Sequence, residues 1–310
     1  MRIAVIGAGG TGGYFGALMA RAGEDVTFVA RGAHLDAIRK GGLTVRSQLS
    51  GDFHVACTAT DNTEEIGPVD LVLFCVKAYD TEQALAHLRL LVGPETMILS
   101  VQNGIDNEAQ ISRAVGPGHV LGAVAHVSSV IAEPGVISQT AGPGRITFGE
   151  MDGRTRARTE RLLETFRRAG IAAAVHPDIT AALWEKFIFI CAMSGVTALT
   201  RLPIGPILAD PESAGLVRDV MAEVEAVALA KGIAVAGYTD KAMAFMVGLE
   251  PAMRGSMYYD LAAGRRLELS TLNGTVVRLG RETGIPTPLN GAIYAALRPY
   301  EHGRPPGAGV

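Results

Sequence analysis

The chain opens Met1-Arg-Ile-Ala-Val-Ile-Gly7-Ala8-Gly9-Gly10-Thr11-Gly12, and a helical pattern carrying Tyr14, Phe15, Leu18 and Met19 follows. An apolar run entering G-x-G-x-x-G and then a helix is the context in which that motif binds a dinucleotide. Gly7 permits the tight turn, Gly9 lets the backbone approach a pyrophosphate, and Gly12 lets the helix pack on the strand. The N–H groups at the helix start, with its dipole, hold the anion, so Ala8, Gly10 and Thr11 belong to the same cradle. The plainer reading is a glycine-rich turn without a ligand. A position directly after a β run weighs against it.

The next strand indicates which dinucleotide. Asp25-Val-Thr-Phe-Val-Ala30 ends at Arg31, where an NAD-binding chain carries an Asp or Glu that accepts hydrogen bonds from the ribose 2′-OH. No carboxylate stands there. Ala30 is neutral, Arg31 is cationic, and Arg39 and Lys40 follow one helix later. A guanidinium fork matches a 2′-phosphate in charge and shape, so NADPH is expected rather than NADH. An arginine on an ordinary surface loop is the alternative.

A length of 310 residues favours two domains over one. With 28 basic and 31 acidic side chains the formal charge is −3, which predicts neither nucleic-acid nor anionic-membrane partners. Cys57, Cys75 and Cys191 are scattered, and two lie inside apolar runs. They are expected to be reduced, small hydrophobes of a cytoplasmic protein. No Cys/His spacing resembles a metal site, so no metal is expected. The sequence begins with a structural strand, and no cleavable signal is expected. The uncharged stretch from Phe187 to Thr200 is shorter than the roughly 20 residues of a membrane span.

Beyond the first β-α-β unit, Val69 to Val76 is an almost continuous apolar run, as a strand covered on both faces requires. Thr81 to Leu91 has helical spacing and Thr96 to Val101 is another buried strand. Val120 to Ile131, Gly135 to Gln139 and Arg145 to Phe148 are β-like runs separated by Pro-Gly turns, expected to extend the sheet with antiparallel strands. Arg156 to Ala169 is a basic amphipathic helix, and Ile171 to Val175 closes the sheet. At His176-Pro177-Asp178 the proline disfavours helix before it and Asp178 can cap one after it. Helical patterns then follow: Ile179 to Val196, Pro211 to Lys231, Lys241 to Val247, Ser256 to Ala263 and Leu267 to Thr283. The tail after Tyr300, rich in Pro and Gly, is expected to fray. The expected fold is α/β: a Rossmann-type dinucleotide-binding domain over 1–177, then an all-helical domain over 178–310. A ligand cleft is expected between them.

Four positions outside the glycine loop could carry chemistry. Lys186, in Trp184-Glu185-Lys186, enters a helix that is apolar nearly all round, with Ile190 and Ser194 one and two turns along the same face. A buried ammonium needs a partner, or its pKa falls, and either outcome suits an acid that protonates a developing alkoxide. Snorkelling to water beside Glu185 is the alternative. Glu268 sits at the edge of the stripe Leu269, Leu272, Val276 and Leu279, where a half-buried carboxylate wants a cation. Lys186 is one candidate, and a purely structural ion pair is the other reading. Ser256 could merely cap its helix, and Arg265 and Arg266 are expected at the surface. Lys77 and Asn103 end two parallel strands, where ligands bind in open α/β sheets, although Asn103-Gly104 is also an ordinary turn dipeptide.

Taken together these residues resemble the ketopantoate reductase (2-dehydropantoate 2-reductase) family. The shared features are Gly7-Ala-Gly9-Gly10-Thr11-Gly12, Arg31 in Val-Ala-Arg-Gly, Val76-Lys77-Ala78, Gln102-Asn103-Gly104, Glu133-Pro134-Gly135, and Trp184-Glu185-Lys186. Ser256-Met257-x-x-Asp260, Gly264-Arg265-x-x-Glu268 and Asn273-Gly274 follow in the family's order. The resemblance implies that Lys186 is the proton donor and that Glu268 orients cofactor and lysine. It also implies that Asn103 and Ser256 contact substrate, and that Lys77, Asn103 and Val127 line the cofactor. Well-known members carry Asn four and eight residues after the lysine, where this chain has Ile190 and Ser194, and a further loop Asn aligns with Ile204. Ser194 can supply one hydroxyl to substrate and Ile190 nothing polar, so a more apolar pocket is expected. The expected activity is NADPH-dependent reduction of a small 2-oxo acid in the cytoplasm, involved in pantothenate biosynthesis if ketopantoate is the substrate. The alternatives are a relative acting on a less polar oxo acid or ketone, a non-catalytic NADPH sensor, or an NAD-using β-hydroxyacid dehydrogenase. The buried helices of the second half admit a homodimer.

Overall fold

The computed structural model describes residues 1–307, which divide into two compact units. The first comprises 1–102 and 106–180, and the second comprises 103–105 and the described residues from 181 onward. The sheet thus gives way to helix at His176-Pro177-Asp178, while compactness puts the division a few residues later and lends Asn103 to the helical unit.

In the first unit β1 (Arg2–Ile6), α1 (Gly10–Arg21), β2 (Asp25–Val29), α2 (Gly32–Gly41), β3 (Leu43–Ser47), β4 (Phe53–Val55) and β5 (Thr58–Thr60) come first. They are followed by β6 (Leu71–Phe74), α3 (Thr81–Leu88), β7 (Met97–Ser100), α4 (Asn107–Val115), β8 (Val120–Glu133), β9 (Val136–Glu150), α5 (Ala157–Arg168) and β10 (Ala172–Val175). The ten-stranded sheet runs β4-β3-β9-β8-β7-β6-β1-β2-β5, with β10 also paired to β9. Six neighbours, β5-β2-β1-β6-β7-β8, are all parallel. This is the doubly wound order, which reverses direction between β1 and β6 and so opens a crevice at their carboxyl ends. Apolar runs make these strands because both faces are covered: Leu71 to Phe74 and Met97 to Leu99 are fully buried.

The extension of the sheet is more elaborate than expected. β8 and β9 form one long antiparallel pair with register shifts between His126 and Ser129, and β9 then takes β3 and β10 as parallel partners. Val136 to Gln139 and Arg145 to Phe148 are therefore parts of one strand, with Gly135 in the turn before it. The strands β3 to β5 were not foreseen: they are short and polar, with no continuous apolar signal.

The second unit holds α6 (Ile179–Thr200, whose first two residues belong to the first unit), α7 (Ile204–Ala209), α8 (Pro211–Ala230), α9 (Tyr238–Val247), α10 (Ser256–Ala262), α11 (Thr275–Thr283) and α12 (Pro288–Leu297). The 22 residues of α6 are long and apolar enough to cross a membrane, which the uncharged stretch alone did not show. Of its most apolar window 72% is buried inside the fold, as a core helix requires. Asn273 and Asn290 are fully buried, and Asn273 Nδ2 donates to Asn290 Oδ1 at 2.9 Å and to the Cys191 carbonyl at 3.3 Å. Glu223 of α8 accepts from the Leu289 and Asn290 N–H groups and the Asn290 amide. This polar network, in which Asn273 Oδ1 is left without a partner, fixes the mutual register of helices that apolar packing alone would let slide.

Two expectations change here. The segment from Leu267 is not helical at once: it enters through a π-helical turn, Ser270–Gly274, and Glu268 precedes that turn. The tail does not fray at Tyr300, because Leu267 N–H donates to the Glu301 carbonyl and Arg298 Nε pairs with Glu301 at 2.9 Å. Glu301 is buried.

Candidate active site

The first turn of α1 begins at Gly10, with Gly9 as its N-cap and no side chain closing it. No acidic residue lies in that turn, so no carboxylate of its own counters the helix dipole there. Gly7 takes φ +96°, and a Cβ there would sit 2.8 Å from the Val76 nitrogen. A Cβ on Gly12 would be 2.2 Å from the Gly7 carbonyl oxygen, whereas nothing lies within 4 Å of the Cβ position on Gly9. Gly7 and Gly12 thus bring strand and helix together, and Gly9 leaves open the side on which an anionic ligand can approach. Ala8 is buried, and Gly10 and Thr11 are half-buried. The residues present fit a dinucleotide pyrophosphate.

Arg31 is the N-cap of α2 and is 75% exposed on its side chain, with Nη2 2.5 Å from Asp80 Oδ2. Asp80 ends the turn Ala78–Asp80 that Lys77 caps, so the tips of β2 and β6 are tied across the crevice of the sheet. β6 ends at Phe74 and β7 at Ser100, so half-buried Lys77 and half-buried Asn103 each stand three residues beyond their strand. Buried Gln102 holds this geometry: its Nε2 donates to the Val76 carbonyl at 2.9 Å and to Thr81 Oγ1 at 2.8 Å. Val127, half-buried, lies in the irregular part of β8. That strand crosses the glycine loop, since a Cβ on Gly10 would fall 1.9 Å from the Ser129 carbonyl oxygen.

Sequence reasoning missed His34. Its Nε2 is 2.9 Å from the Ala8 carbonyl oxygen, and its Nδ1 accepts from the Gly135 N–H at 3.1 Å. The signal was the pair of glycine turns, which says that something must hold them but not what.

In the second unit Lys186 is half-buried on α6, two residues past Trp184 and beside Phe187, whose rings meet edge to face at 5.7 Å. Ile190, one turn on, is half-buried. Ser194 is fully buried, its Oγ has no hydrogen-bond partner, and Gly255 lies against it so closely that a Cβ there would be 2.7 Å from that Oγ. In this arrangement Ser194 exposes no surface to a ligand and serves the approach of Gly255. Ser256 is exposed at the start of α10, and Gly255 is the N-cap, so Ser256 does not cap the helix. Glu268 is 6% exposed. Arg265 and Arg266 are at the surface, and Arg265 Nε reaches Asp260 at 2.9 Å. Ile204 is not in a loop: it starts α7, is buried in the apolar core, and donates its N–H to the Met253 carbonyl. Burial, with the negative charge of Glu185 adding to it, pushes the Tyr238 hydroxyl up to about 12.

Burial raises the Cys57 thiol to about 11 and also raises those of Cys75 and Cys191, so none forms a thiolate near neutral pH. Among the described residues no group of three or more His, Cys, Asp or Glu is placed to hold a metal ion.

The family model "Ketopantoate reductase PanE/ApbA" matches residues 3–153, and "Ketopantoate reductase PanE/ApbA C terminal" matches 178–301. The 2-dehydropantoate 2-reductase of Archaeoglobus fulgidus is 32% identical over 302 residues, covering 97% of this chain and 98% of that one. A crystal structure of 2-dehydropantoate 2-reductase from Geobacter metallireducens is 37% identical with a TM-score of 0.88, covering 96% of this chain and 99% of the other. D-mandelate dehydrogenase, solved with NADH and anilino(oxo)acetate, has a TM-score of 0.89 at 20% identity, a likeness of fold. With both halves matched in order, this chain belongs to the ketopantoate reductase family and is an oxidoreductase acting on CH–OH groups with a nicotinamide nucleotide.

Proposed function

We propose that the protein is an NADPH-dependent reductase of a small 2-oxo acid, acting in the cytoplasm with Lys186 as the proton donor. The observation that carries this is a lysine half-buried on a core helix that bears no further charge beyond it, in a chain whose first unit presents an uncapped, uncountered helix start at a glycine loop. The bound nucleotide supplies the hydride. Lys186 gives a proton to the carbonyl oxygen, and its charge favours the alkoxide more than the neutral ketone, which is differential stabilisation of the transition state. Glu268 steers the ammonium, while Asn103 and Ser256 contact the acid. Lys77, Asn103, Val127 and the loop from Gly7 to Gly12 line the nucleotide.

Ile190 brings a hydrocarbon surface where relatives carry an amide, and buried Ser194 does not replace it. The reading therefore favours an oxo acid less polar than 2-dehydropantoate. An assay of NADPH oxidation over a panel of 2-oxo acids, ketopantoate included, tests it. Turnover is expected to be fastest on an acid with an apolar side chain. A chain that binds NADPH but reduces none of the panel would instead be a sensor.

Coenzyme choice rests on Arg31. Its pair with Asp80 is open to water on the arginine side and is worth about 1 kcal/mol, so exchanging that carboxylate for a 2′-phosphate costs little. A charge-assisted bond to phosphate is worth roughly 1.5–3 kcal/mol. Arg31→Ala should accordingly raise the Kd for NADPH by about ten- to a hundredfold and leave that for NADH nearly unchanged. Equal losses for the two nucleotides, measured by titration, would remove the 2′-phosphate contact from the reading.

A further inference from the structure

We infer that His34 is a positioning residue for nucleotide binding: a neutral imidazole that clamps the Ala8 peptide of the glycine loop to the β8–β9 turn. This rests on the reading of that loop as the pyrophosphate site.

The hydrogen positions follow from the partners. Gly135 offers an N–H, so Nδ1 of His34 must be the unprotonated nitrogen, 3.1 Å away. Nε2 then carries the hydrogen and donates it to the Ala8 carbonyl at 2.9 Å. Gly135 is itself held, since its carbonyl accepts from Thr44 N–H at 2.9 Å. The imidazole, half-buried at the start of α2, therefore joins the glycine loop, the β8–β9 turn and β3.

The clamp acts through one peptide plane. In a trans peptide the C=O of Ala8 and the N–H of Gly9 point in opposite directions. Fixing the carbonyl on His34 fixes where the next N–H points, and Gly9 is the residue with open space around it. Without the clamp that peptide is free to rotate, and an anion must order it on binding.

Protonation undoes the arrangement, because a hydrogen on Nδ1 would face the Gly135 N–H. Burial pushes the His34 imidazole below its usual range, with the Ala8 bond opposing, so the neutral form persists at neutral pH. The glycine loop has no ionisable side chain. Beside the turn Glu133 is paired with Arg46, and at the head of the helix Arg31 is paired with Asp80. Asp36, Arg39 and Lys40 share the helix with His34 but lie in exposed positions.

The variants His34→Ala, His34→Asn and His34→Gln separate the two bonds. Gln carries its amide nitrogen to about the reach of Nε2, and Asn places its oxygen near Nδ1, keeping only the link to Gly135. NADPH affinity is measured by fluorescence titration, with thermal melting to confirm folding. The Ala and Asn variants are expected to bind about tenfold more weakly, the Gln variant close to wild type, and kcat at saturating NADPH to be unchanged. As pH falls below the usual imidazole range, wild-type affinity should fall more steeply than that of His34→Gln; titration of the 2′-phosphate is common to both and cancels. If Gln binds as weakly as Ala, if all four proteins bind alike, or if the two pH profiles superimpose, the clamp is wrong while the nucleotide site stands. If folded wild-type protein binds no nicotinamide nucleotide, both fall.

Discussion

Replacing Lys186 by alanine is expected to lower kcat by ~10²–10⁴-fold, the usual contribution of a general acid, while nucleotide affinity stays at the wild-type value. The fold should tolerate the change. Lys186 is only half-buried, its neighbours Phe187 and Ile188 hold the core, and alanine is the best helix former. Lys186→Arg divides the role further. A guanidinium keeps the positive charge that stabilises an alkoxide but does not release its proton near neutral pH. Activity of the arginine variant between wild type and alanine would say that charge and proton both contribute. Single-turnover rates at saturating nucleotide, with a separate binding titration, make the measurement. An alanine variant that turns over at the wild-type rate would end the assignment of Lys186 as acid and leave only the nucleotide-binding half of the reading.

Much of this was legible in the sequence, for reasons that differ by element. β1, β6 and β7 are buried on both faces, so their apolar runs are unbroken and visible without an alignment. Leu269, Leu272, Val276 and Leu279 read as one stripe, and all four are buried. The π-helical turn that displaces Glu268 from that helix was not readable, because one extra residue in a turn leaves the apolar spacing almost intact. α12 was missed although Pro288 stands in its first turn, since Gly291 and Asn290 interrupt the helical pattern. Asn290 is buried on Val220 and Glu223, and sequence alone cannot distinguish such an amide from one in a loop.

At the candidate site the division is similar. Gly7, Gly9 and Gly12 announce their roles through spacing, because backbone geometry is what they supply. Asp80, the partner of Arg31, lies 49 residues away, and Gly135, a partner of His34, lies 101 residues away. Contacts of that separation are set by the sheet order, which no local pattern encodes. Ser194 shows the converse. Its place along the helix face suggested a ligand hydroxyl, yet its depth is decided by Gly255 packed on it.

The steepest loss of stability is expected from Gly10→Ala. By helix propensity alone this change should help, since alanine in a helix is favoured over glycine by about 1 kcal/mol. Contact geometry opposes it. The added carbon would lie 1.9 Å from the Ser129 carbonyl oxygen, 2.4 Å from its carbon and 2.8 Å from the Val130 nitrogen. All three are backbone atoms of β8 at residues paired to β9, Ser129 opposite Gln139 and Val130 opposite Ser138, so no side chain can swing aside. Forcing such a methyl into packed structure costs about 3 kcal/mol, well above the propensity gain. The melting transition should fall by on the order of 10 °C. Gly9→Ala is the control: nothing lies within 4 Å of its Cβ position, so it should melt like wild type yet bind NADPH more weakly, because the methyl occupies the side left open for the pyrophosphate. Calorimetry of the three proteins decides. A Gly10→Ala protein melting with wild type would mean that β8 does not lie on the glycine loop, and the wall of the nucleotide site would have to be drawn from other residues.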